Sequence, residues 1–517
     1  MPTLPPELMT VPALYAKLGI GGAEAKFLAH YVRHRYRASQ IPKRRGGYRT
    51  LLAPDNRLKF HQRELLDLLT PLYRPKPAVH GFVAERSPIT NANAHQGRPY
   101  LLNLDISNYF GVITRNRVRG VLIAVGMPAA VADAVCNLTV VDNQLPQGAP
   151  TSPLLANMVT FRLDRDLTSF AKTHRLRYTR YADDLTFSSY VRPTALFAEA
   201  EPAPGLIDIA ELAPVLSGLI TGNNFNLNPV KARYCVSKTR KQVTGLVVNE
   251  FTNIRRDFLR NVRSSLYRME TLGVADAEAE YQSKYDPKAK LHSVVRGRLE
   301  WIAQVRGRSF EPYRILAGRF NALYPAATPL PINPTNDELL AKAVFVIDYG
   351  KGKNMAQGTA FFLEGAGLVT AHHVLAKMQS GSATLYRADE PTKKYKARFS
   401  ARVCSHRDLA ILDHDVPVSE QTFLKQAAGI DRIKSTVTVV GYPEFGPGDS
   451  LVQMEGRIVG RNTKSAVRYV QVDMQVGDGL SGAPIINDRY EVVAVGHKGG
   501  PSESKQLGID VAEVHGL

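Results

Sequence analysis

The sequence predicts two domains of different class, an α+β domain followed by an all-β domain. Before residue 324, apolar residues recur mainly at helical spacing, with a few β-prone runs between them. After residue 336 the chain turns to short β-rich runs that end in glycine turns. Residues 324–334 carry four prolines in eleven positions, which indicates a stiff linker. We therefore expect a Pro-rich linker over 324–336.

The charge of the chain changes at the same point. The 517 residues include 66 Lys and Arg and 47 Asp and Glu, which gives a formal net charge of +19. From Thr335 to Leu517 there are 21 residues of each sign, so the whole excess lies before Thr335. A basic body of this kind favours a phosphate-rich partner such as nucleic acid. A merely solubilising charged surface would not explain the asymmetry.

Cysteine usage and hydropathy predict a cytoplasmic protein. Cys136, Cys235 and Cys404 are far apart and odd in number, so neither a disulfide framework nor a zinc cluster is supported. Residues 1–10 lack a basic segment before an apolar core, and no run reaches the roughly 18 apolar residues of a membrane span. We expect no membrane association.

An acidic turn is the most informative feature of the first domain. Residues 178–188 read Tyr-Thr-Arg-Tyr-Ala-Asp-Asp-Leu-Thr-Phe-Ser, which predicts two strands joined by a tight turn that carries Asp183 and Asp184. Adjacent carboxylates repel each other unless a cation supplies positive charge, and hard oxygen ligands favour Mg²⁺. The alternative is an ordinary exposed acidic hairpin.

Two upstream segments give this turn a context. Residues 100–105 predict an apolar strand that ends in Asp105, which could also be a simple turn cap. Residues 145–157 hold a Gly/Pro turn with Gln147, followed by an apolar run that predicts a helix. In this order the three segments resemble the palm of reverse transcriptases.

The resemblance implies a right-hand polymerase, with fingers and palm over 1–250 and a helical thumb over 251–323. Asp105, Asp183 and Asp184 would be the catalytic ligands of two Mg²⁺ ions. Such a pair of metals activates the primer hydroxyl and stabilises the leaving pyrophosphate. The amphipathic pattern after residue 253 has a basic face, as expected of a thumb that lies along a duplex.

The same resemblance implies a set of residues that bind the dNTP. The glycine-turned hairpin over 41–51 carries several cations and resembles the fingers, although a charged surface hairpin is the alternative. Phe110 lies five residues after Asp105, where the family places the ring that excludes a ribose 2′-hydroxyl. The set comprises Lys43, Arg49, Phe110, Gln147 and Lys231.

Two further segments narrow the resemblance to retron reverse transcriptases. The first has Asn91 and His95 in an Asn-Ala-x-x-His spacing, and the second is the Val-Thr-Gly triplet of Val243, Thr244 and Gly245. In that family these segments help to select a cognate structured non-coding RNA. The predicted partners are this RNA and the DNA copied from it.

The all-β region over 337–517 resembles a trypsin-like serine protease with a double barrel. It holds His373 in a Thr-Ala-x-His context, then Asp408, then Ser481 in Gly-Asp-Gly-Leu-Ser-Gly-Ala-Pro. The resemblance implies that His373 is the base, Asp408 its orienting carboxylate and Ser481 the nucleophile. The N–H groups of Gly479 and Ser481 would form the oxyanion hole.

The full prediction is a retron-type RNA-directed DNA polymerase that makes RNA-linked DNA, fused to a serine protease as an anti-phage effector. The protein substrate of the protease is unidentified. Gln475, six residues before Ser481, disfavours a basic cleavage preference, and residues 495–500 with His497 resemble the pocket wall of glutamate-specific proteases. One alternative makes the C-terminal domain an inactive protease-like binding module. A second makes the polymerase a general one without a dedicated RNA.

Overall fold

A computed structural model describes residues 4–42, 47–349, 356–376, 382–429, 431–446, 448–477, 479–497 and 506–517. The chain separates into two compact units, residues 1–306 and 307–517. The division lies before the Pro-rich segment, so the last helix of the predicted thumb belongs to the second unit. The predicted boundaries at 251–323 and 324–336 stay predictions.

The helices of the first unit are α1 Val11–Leu18, α2 Gly22–Tyr31, α3 Asn56–Leu69, α4 Pro88–Asn93, α5 Arg115–Ala124, α6 Ala129–Thr139, α7 Ser152–Val159, α8 Phe161–Thr173, α9 Pro214–Thr221, α10 Arg256–Leu272, α11 Val274–Lys284 and α12 Leu291–Arg306. Its strands are β1 Tyr36–Pro42, β2 Tyr48–Pro54, β3 Tyr100–Asp105, β4 Arg177–Tyr181, β5 Asp184–Ser189, β6 Gly205–Leu206, β7 Arg233–Cys235, β8 Gln242–Val243 and β9 Leu246–Val247.

A central antiparallel sheet in the order β4-β5-β3-β7-β6 positions the acidic residues of the first unit. Its apolar side chains, among them Leu102, Leu104 and Phe187, join the main hydrophobic core with residues of α3, α6 and α8. The predicted strands over 100–105 and 178–188 and the helix after the Gly/Pro turn are confirmed as β3, β4, β5 and α7. Burial of one sheet face against helices is the usual α+β solution.

The predicted hairpin over 41–51 is confirmed as the antiparallel pair β1 and β2, and its turn at 43–46 lies outside the described residues. The helix α3 follows this hairpin, and the Asp55 carboxylate accepts a hydrogen bond from the Leu58 N–H at 2.8 Å. Such a cap satisfies a donor that has no partner within the helix. The amphipathic pattern predicted after residue 253 corresponds to α10, which buries Val262, Leu266 and Met269.

The second unit contains the helices α13 Glu311–Leu323, α14 Asn336–Ala343 and α15 His372–Leu375. Its strands are β10 Val344–Tyr349, β11 Ala356–Leu363, β12 Gly367–Ala371, β13 Ala383–Tyr386, β14 Tyr395–Cys404, β15 Leu409–His414, β16 Lys425–Gln426, β17 Thr436–Gly441, β18 Val452–Lys464, β19 Val467–Val472, β20 Pro484–Asn487, β21 Glu491–His497 and β22 Gln506–Asp510.

These strands form two antiparallel barrels, which confirms the predicted double-barrel class. Strands β10-β11-β12-β15-β14-β13 close into the first barrel. Strands β21-β20-β17-β18-β19-β22 form a second ring, which closes because β21 also pairs with β22. Inward-facing Val, Ile and Leu side chains fill both barrels, as the alternation of a closed sheet requires.

Candidate active sites

The three aspartates predicted as metal ligands lie together at the ends of adjacent strands of the central sheet. Asp105, the last residue of β3, is directly opposite Asp184, the first residue of β5. Opposite residues of an antiparallel pair project from the same face. Asp183 lies in the turn between β4 and β5, where its carbonyl oxygen accepts a hydrogen bond from the Ile106 N–H at 2.9 Å.

The turn that carries Asp183 has an unusual backbone conformation. Ala182 has φ 55°, in the left-handed region that costs a non-glycine residue about 1–2 kcal/mol. The guanidinium of Arg180 supports this conformation, because its Nη1 donates a hydrogen bond to the Ala182 carbonyl oxygen at 3.1 Å. The buried side chain of Arg180 therefore stabilises the strained backbone of the turn.

Arg180 is itself held by an ion pair that the sequence analysis did not identify. Its Nη2 and Nε lie 2.7 and 2.8 Å from the carboxylate oxygens of Asp164, and both side chains are fully buried. Burial alone would lower the pKa of Arg180, but the Asp164 charge outweighs it and raises that pKa well above its usual value. Nη1 also donates to the Tyr109 hydroxyl, and Nη2 to the Asn157 side-chain oxygen.

The segment at residues 78–82 supports the acidic turn from the other side. The Arg180 N–H donates to the Ala78 carbonyl oxygen, and the His80 N–H donates to the Arg180 carbonyl oxygen, both at 2.8 Å. A Cβ atom on Gly81 would lie only 2.4 Å from the Ala182 nitrogen. Glycine is therefore required at this position because the two backbones approach too closely for any side chain.

The side chain of Asp105, which is buried, makes two contacts. Its Oδ2 lies 2.6 Å from Lys231 Nζ, and its Oδ1 accepts a hydrogen bond from Asn228 Nδ2 at 3.1 Å. Both partners come from the segment after α9, and the Asn228 N–H also donates to the Asp105 carbonyl oxygen at 2.7 Å. Lys231 thus contacts the acidic site, and its role in binding the nucleotide stays a prediction. The contact of Asn228 with Asp105 was not identified in the sequence analysis.

The electrostatics of the three aspartates fit a divalent cation. Burial, followed by the negative charge of Asp105, raises the pKa of Asp183. Crowding by protein atoms and the charges of Asp183 and Asp105 raise the pKa of Asp184 to about 7, although the residue still reaches solvent. A bound cation would offset the repulsion between these carboxylates. Mg²⁺ suits the site because it prefers oxygen ligands.

A cavity of about 530 Å³ opens in front of these aspartates. Arg49, Gln147 and Lys231, three of the predicted nucleotide-binding residues, line it together with Asp105 and Asp183. Phe110 lines an adjoining groove that also contacts Arg49 and Gln147, and its ring lies 6.2 Å from that of Phe82. The remaining predicted residue, Lys43, lies outside the described residues.

The β1–β2 hairpin reaches this cavity through a backbone contact. The Leu52 N–H donates a hydrogen bond to the Gln147 carbonyl oxygen at 2.8 Å. Gly148 has φ 120°, and a Cβ atom there would lie 3.1 Å from the Leu52 carbonyl oxygen. The Gln-Gly pair is thus the point where β2 of the hairpin contacts the turn before α7.

The residues predicted to recognise RNA lie in two segments, 91–95 and 243–245, which together form a layer behind the acidic turn. His95 is fully buried, with Nδ1 2.6 Å from Ser188 Oγ and Nε2 2.7 Å from Thr179 Oγ1. Burial lowers the pKa of His95 to about 3, so the imidazole is neutral near pH 7. Its side chain therefore braces the β4–β5 hairpin and is not available for direct contact with RNA.

The second retron segment packs on the same layer. Thr244 Oγ1 donates to the Pro88 carbonyl oxygen at 2.8 Å, which joins the β8–β9 turn to α4. Val243 packs in a small core with Ala92, and Asn91 is fully buried with no hydrogen-bond partner for its side chain among the described residues. Gly245, in the turn with φ 82°, is exposed. Recognition of RNA by this layer stays a prediction.

In the second unit, His373 and Asp408 form the pair that the sequence predicts. His373 lies at the start of α15 just after β12, and Asp408 immediately precedes β15, the neighbour of β12 in the first barrel. His373 Nδ1 lies 2.6 Å from Asp408 Oδ2, and the His373 N–H donates to Asp408 Oδ1 at 2.8 Å. The carboxylate therefore fixes both the backbone and the ring of His373.

A second imidazole contacts the same carboxylate, which the sequence analysis did not predict. His497 Nδ1 lies 2.7 Å from Asp408 Oδ2, and its place in the wall of the substrate pocket stays a prediction. Burial alone would raise the pKa of Asp408, but the hydrogen bonds from His373 and His497 outweigh it and hold that pKa well below its usual range. Residues 498–500 of the predicted wall lie outside the described residues.

Ser481 lies in the loop between β19 and β20, which packs closely on the first barrel. The Thr359 N–H donates to the Ser481 carbonyl oxygen at 3.0 Å, and Thr359 Oγ1 donates to the Gly479 carbonyl oxygen at 2.7 Å. Gly479 and Gly482 have φ near 80°, and a Cβ atom on either would lie within 2.4 Å of a backbone or side-chain oxygen. The two glycines therefore set the path of the loop.

Ser481 and His373, the predicted nucleophile and base, are not hydrogen-bonded to each other among the described residues. His373 Nε2 is buried and has no hydrogen-bond partner among the described residues. Ser481 is only 5% exposed. The predicted His373, Asp408 and Ser481 are thus all at the junction of the barrels, but the contact that would activate the serine is absent among the described side chains.

Comparison with known proteins assigns a class to each unit. Residues 41–248 match the family "Reverse transcriptase (RNA-dependent DNA polymerase)", and residues 358–495 match "Trypsin-like peptidase domain". The chain therefore contains a reverse transcriptase domain followed by a trypsin-like peptidase domain. Within the described ranges, no helix is both long and apolar enough to cross a membrane.

The relatives of the first domain are retron reverse transcriptases. The Myxococcus xanthus retron Mx65 reverse transcriptase is 35% identical over 48% of this chain and 60% of its own length. The Escherichia coli retron Ec86 reverse transcriptase is 28% identical over 47% of this chain and 73% of its own length. The matches to the Mx65 and Mx162 proteins of M. xanthus thus span about 60% of those relatives.

Solved structures similar to the second domain are proteases. A protease of M. tuberculosis in its active form is 22% identical over 37% of this chain and 92% of its own length, with a TM-score of 0.29. A serine endoprotease from Yersinia pestis is 16% identical over 36% of this chain and 66% of its own length, also with a TM-score of 0.29.

Proposed function

We propose that the chain is a retron-type RNA-directed DNA polymerase that copies a cognate structured non-coding RNA into RNA-linked DNA. The observation that carries this proposal is the convergence of Asp105, Asp183 and Asp184 beside a cavity lined by Arg49 and Lys231. The excess of basic residues before Thr335 supports binding of a nucleic acid duplex.

Each group around the cavity has a role in nucleotide addition. Mg²⁺ ions held by the three aspartates would lower the pKa of the primer hydroxyl and neutralise the phosphates of the dNTP. Arg49 and Lys231 place positive charge on the cavity wall, where they can bind the phosphates. Lys231 must exchange its contact with Asp105 for one with the substrate. Phe110 borders the groove where the sugar of the nucleotide would lie.

We propose that the second domain is a serine endopeptidase that acts on a protein substrate inside the cell. His373 Nε2 would accept the proton of the Ser481 hydroxyl as the serine attacks the scissile carbonyl. Asp408 holds the proton on Nδ1 and stabilises the imidazolium that forms. The Gly479 and Ser481 N–H groups would stabilise the oxyanion.

One observation favours the alternative of an inactive, protease-like binding module. The Ser481 hydroxyl makes no hydrogen bond to His373 among the described residues, whereas an activated serine needs one. A fluorophosphonate probe discriminates the two, since it labels only a serine whose hydroxyl is activated. If the probe labels the wild-type chain and the Ser481→Ala substitution abolishes the labelling, the peptidase function is supported. If the wild-type chain is not labelled, the binding module is supported.

We further propose that the DNA product controls the protease in defence against phage. Bound nucleic acid restrains the protease only if it binds the inactive arrangement more tightly, and a 100-fold ratio needs about 2.7 kcal/mol.

A Ser481→Ala chain should still make DNA but lose protection. Asp183→Ala should lose protection with its triad intact. Nuclease digestion of the bound nucleic acid should change proteolysis by the wild-type protein. Protection by Ser481→Ala equal to wild type would reject the effector role.

The polymerase proposal is tested by sequencing the nucleic acid that copurifies with the chain. A single structured RNA with attached complementary DNA supports the retron assignment, and a mixture of cellular RNAs supports a general polymerase. Asp105→Ala should remove DNA synthesis and leave RNA binding largely intact, because phosphate contacts come from the basic surface. Asp276→Ala, which removes an exposed carboxylate on α11, is the matched control.

A further inference from the structure

His373, Asp408 and His497 form a compact cluster at the peptidase site. Among the described residues, they are the one group of three His, Cys, Asp or Glu side chains whose candidate ligand atoms lie within 4.8 Å of one another. His373 Nδ1 and His497 Nδ1 lie 2.6 and 2.7 Å from Asp408 Oδ2. A triad needs one imidazole on its carboxylate, so the second imidazole calls for a separate explanation.

The composition of the cluster suits a transition-metal ion. Two imidazole nitrogens and a carboxylate oxygen are ligands that Zn²⁺ accepts, usually with a water in the fourth position. Imidazole ligands do not favour Mg²⁺, which prefers oxygen donors such as those of the three aspartates in the first unit. Each side chain of the cluster keeps some exposure to solvent, 36% for His373, 12% for Asp408 and 22% for His497, so an ion can reach it.

We propose that His373, Asp408 and His497 bind a divalent transition-metal ion of the Zn²⁺ class, and that its binding switches the peptidase off. The inhibitory part rests on the proposed peptidase function. Without metal, each Nδ1 carries the proton that it donates to Asp408. Only the lone pair of a deprotonated nitrogen can bind the ion, so each neutral ring must carry its proton on Nε2 instead. No proton is lost in this exchange of tautomers.

The change of tautomer removes the general base. His373 Nε2, which must accept the proton of Ser481, carries a hydrogen once Nδ1 is bound to the ion. The ion also replaces the hydrogen bond by which Asp408 stabilises the imidazolium. The cluster therefore has two exclusive states, a hydrogen-bonded one that is competent for proteolysis and a metal-bound one that is not.

Metal binding is tested first without reference to proteolysis. Full-length Ser481→Ala protein is titrated with Co²⁺, whose visible absorption is intense when nitrogen ligands hold it at low coordination number. We expect this absorption in Ser481→Ala, its displacement by Zn²⁺ and its loss when His497→Gln is added. Glutamine keeps a donor for Asp408 but offers no imidazole. Zn²⁺ affinity should fall at least about 10-fold.

His372→Gln is the matched control. It removes the adjacent imidazole, which stacks near Phe399 and lies outside the cluster. This variant should keep the Co²⁺ absorption and the Zn²⁺ affinity. Equal metal binding in the His497→Gln and His372→Gln proteins would overturn the proposal, because the ion would then lie elsewhere.

Inhibition is measured on chains with Ser481 intact, as the ratio of peptide cleavage with and without Zn²⁺ for each variant. We expect Zn²⁺ to inhibit the wild type and His372→Gln, and to inhibit His497→Gln only at concentrations at least about 10-fold higher. Equal inhibition of all three would overturn the switch. If no chain cleaves any peptide, the peptidase function fails, while the Co²⁺ spectra still decide the metal site.

Discussion

Arg180 Nη1 donates a hydrogen bond to the carbonyl oxygen of Ala182, and this contact connects a buried ion pair to the turn that carries Asp183. The carboxylate of Asp164 holds the other side of the guanidinium at 2.7 and 2.8 Å. The geometry of the acidic turn thus depends on a charge pair in the core of the first unit.

Removal of one partner of this pair should destabilise the protein strongly. Arg180→Met leaves Asp164 buried without a counter-charge, which costs about 3–5 kcal/mol of unfolding free energy. Chemical denaturation of the full chain, followed by the unfolding transition of the first unit, measures this loss.

The double variant Arg180→Met with Asp164→Leu separates stability from function. It removes both buried charges, so much of the lost stability should return. DNA synthesis should stay impaired, because the Ala182 carbonyl still lacks its donor. Recovery of synthesis together with stability would show that the contact to Ala182 has no role in positioning the turn.

The raised pKa of Asp184 predicts a link between pH, Mg²⁺ and stability. Its folded-state pKa of about 7 lies above that of an unfolded aspartate, so the folded protein binds the proton more tightly. Stability without Mg²⁺ should therefore fall as the pH rises from about 4 to about 7, and remain at the lower level above it. We expect Mg²⁺ to raise the melting temperature more at pH 8 than at pH 5.5.

Asp184→Asn provides the control for this effect. The amide cannot ionise, so the variant should melt at a higher temperature than wild type at pH 8 without Mg²⁺, and should gain less from added Mg²⁺. It should also lose DNA synthesis. A melting temperature that responds to Mg²⁺ as in wild type would place the ion away from Asp184.

The buried position of His95 changes what its substitution should do. Because its ring bonds both Ser188 and Thr179 on the two strands of the acidic hairpin, His95→Ala should impair extension of a generic annealed primer as well as use of the cognate RNA. Thr244→Ala, which removes a contact to the α4 backbone, should affect the cognate RNA more. Primer extension by the two variants is measured on both templates. If His95→Ala lost activity only on the cognate RNA, the role of His95 in supporting the acidic hairpin would be contradicted.

Phe110→Ala should allow the polymerase to incorporate ribonucleotides. The ring is half-buried on the groove beside Gln147, where it can exclude a 2′-hydroxyl. Single-nucleotide extension with dNTP and rNTP measures the discrimination. Phe82→Ala is the matched control, because Phe82 packs near Phe110 and lines the same groove. Unchanged discrimination in Phe110→Ala would leave the ring a packing role only.

Local patterns in the sequence were enough to predict much of both sites. Asp105 follows an apolar strand, and Asp183 and Asp184 occupy a turn between β-prone runs, so neighbouring residues alone place them at strand ends. The pairing of His373 with Asp408 was also predicted, because the order of the triad residues on an all-β background is informative. These predictions depend on residue type and short-range spacing, which the sequence displays directly.

The partners of buried polar groups were decided only by the tertiary structure. His497 lies 89 residues from Asp408, and His95 lies 84 residues from Thr179, so no local pattern reveals either contact. Both histidines resembled known functional positions, yet their hydrogen bonds depend on which strands and helices pack together. A buried polar group must find its partner across that packing, because an unsatisfied one costs about 1–3 kcal/mol. The sequence determined which reactive side chains the protein contains. The packing of distant helices and strands decided which of them contact each other.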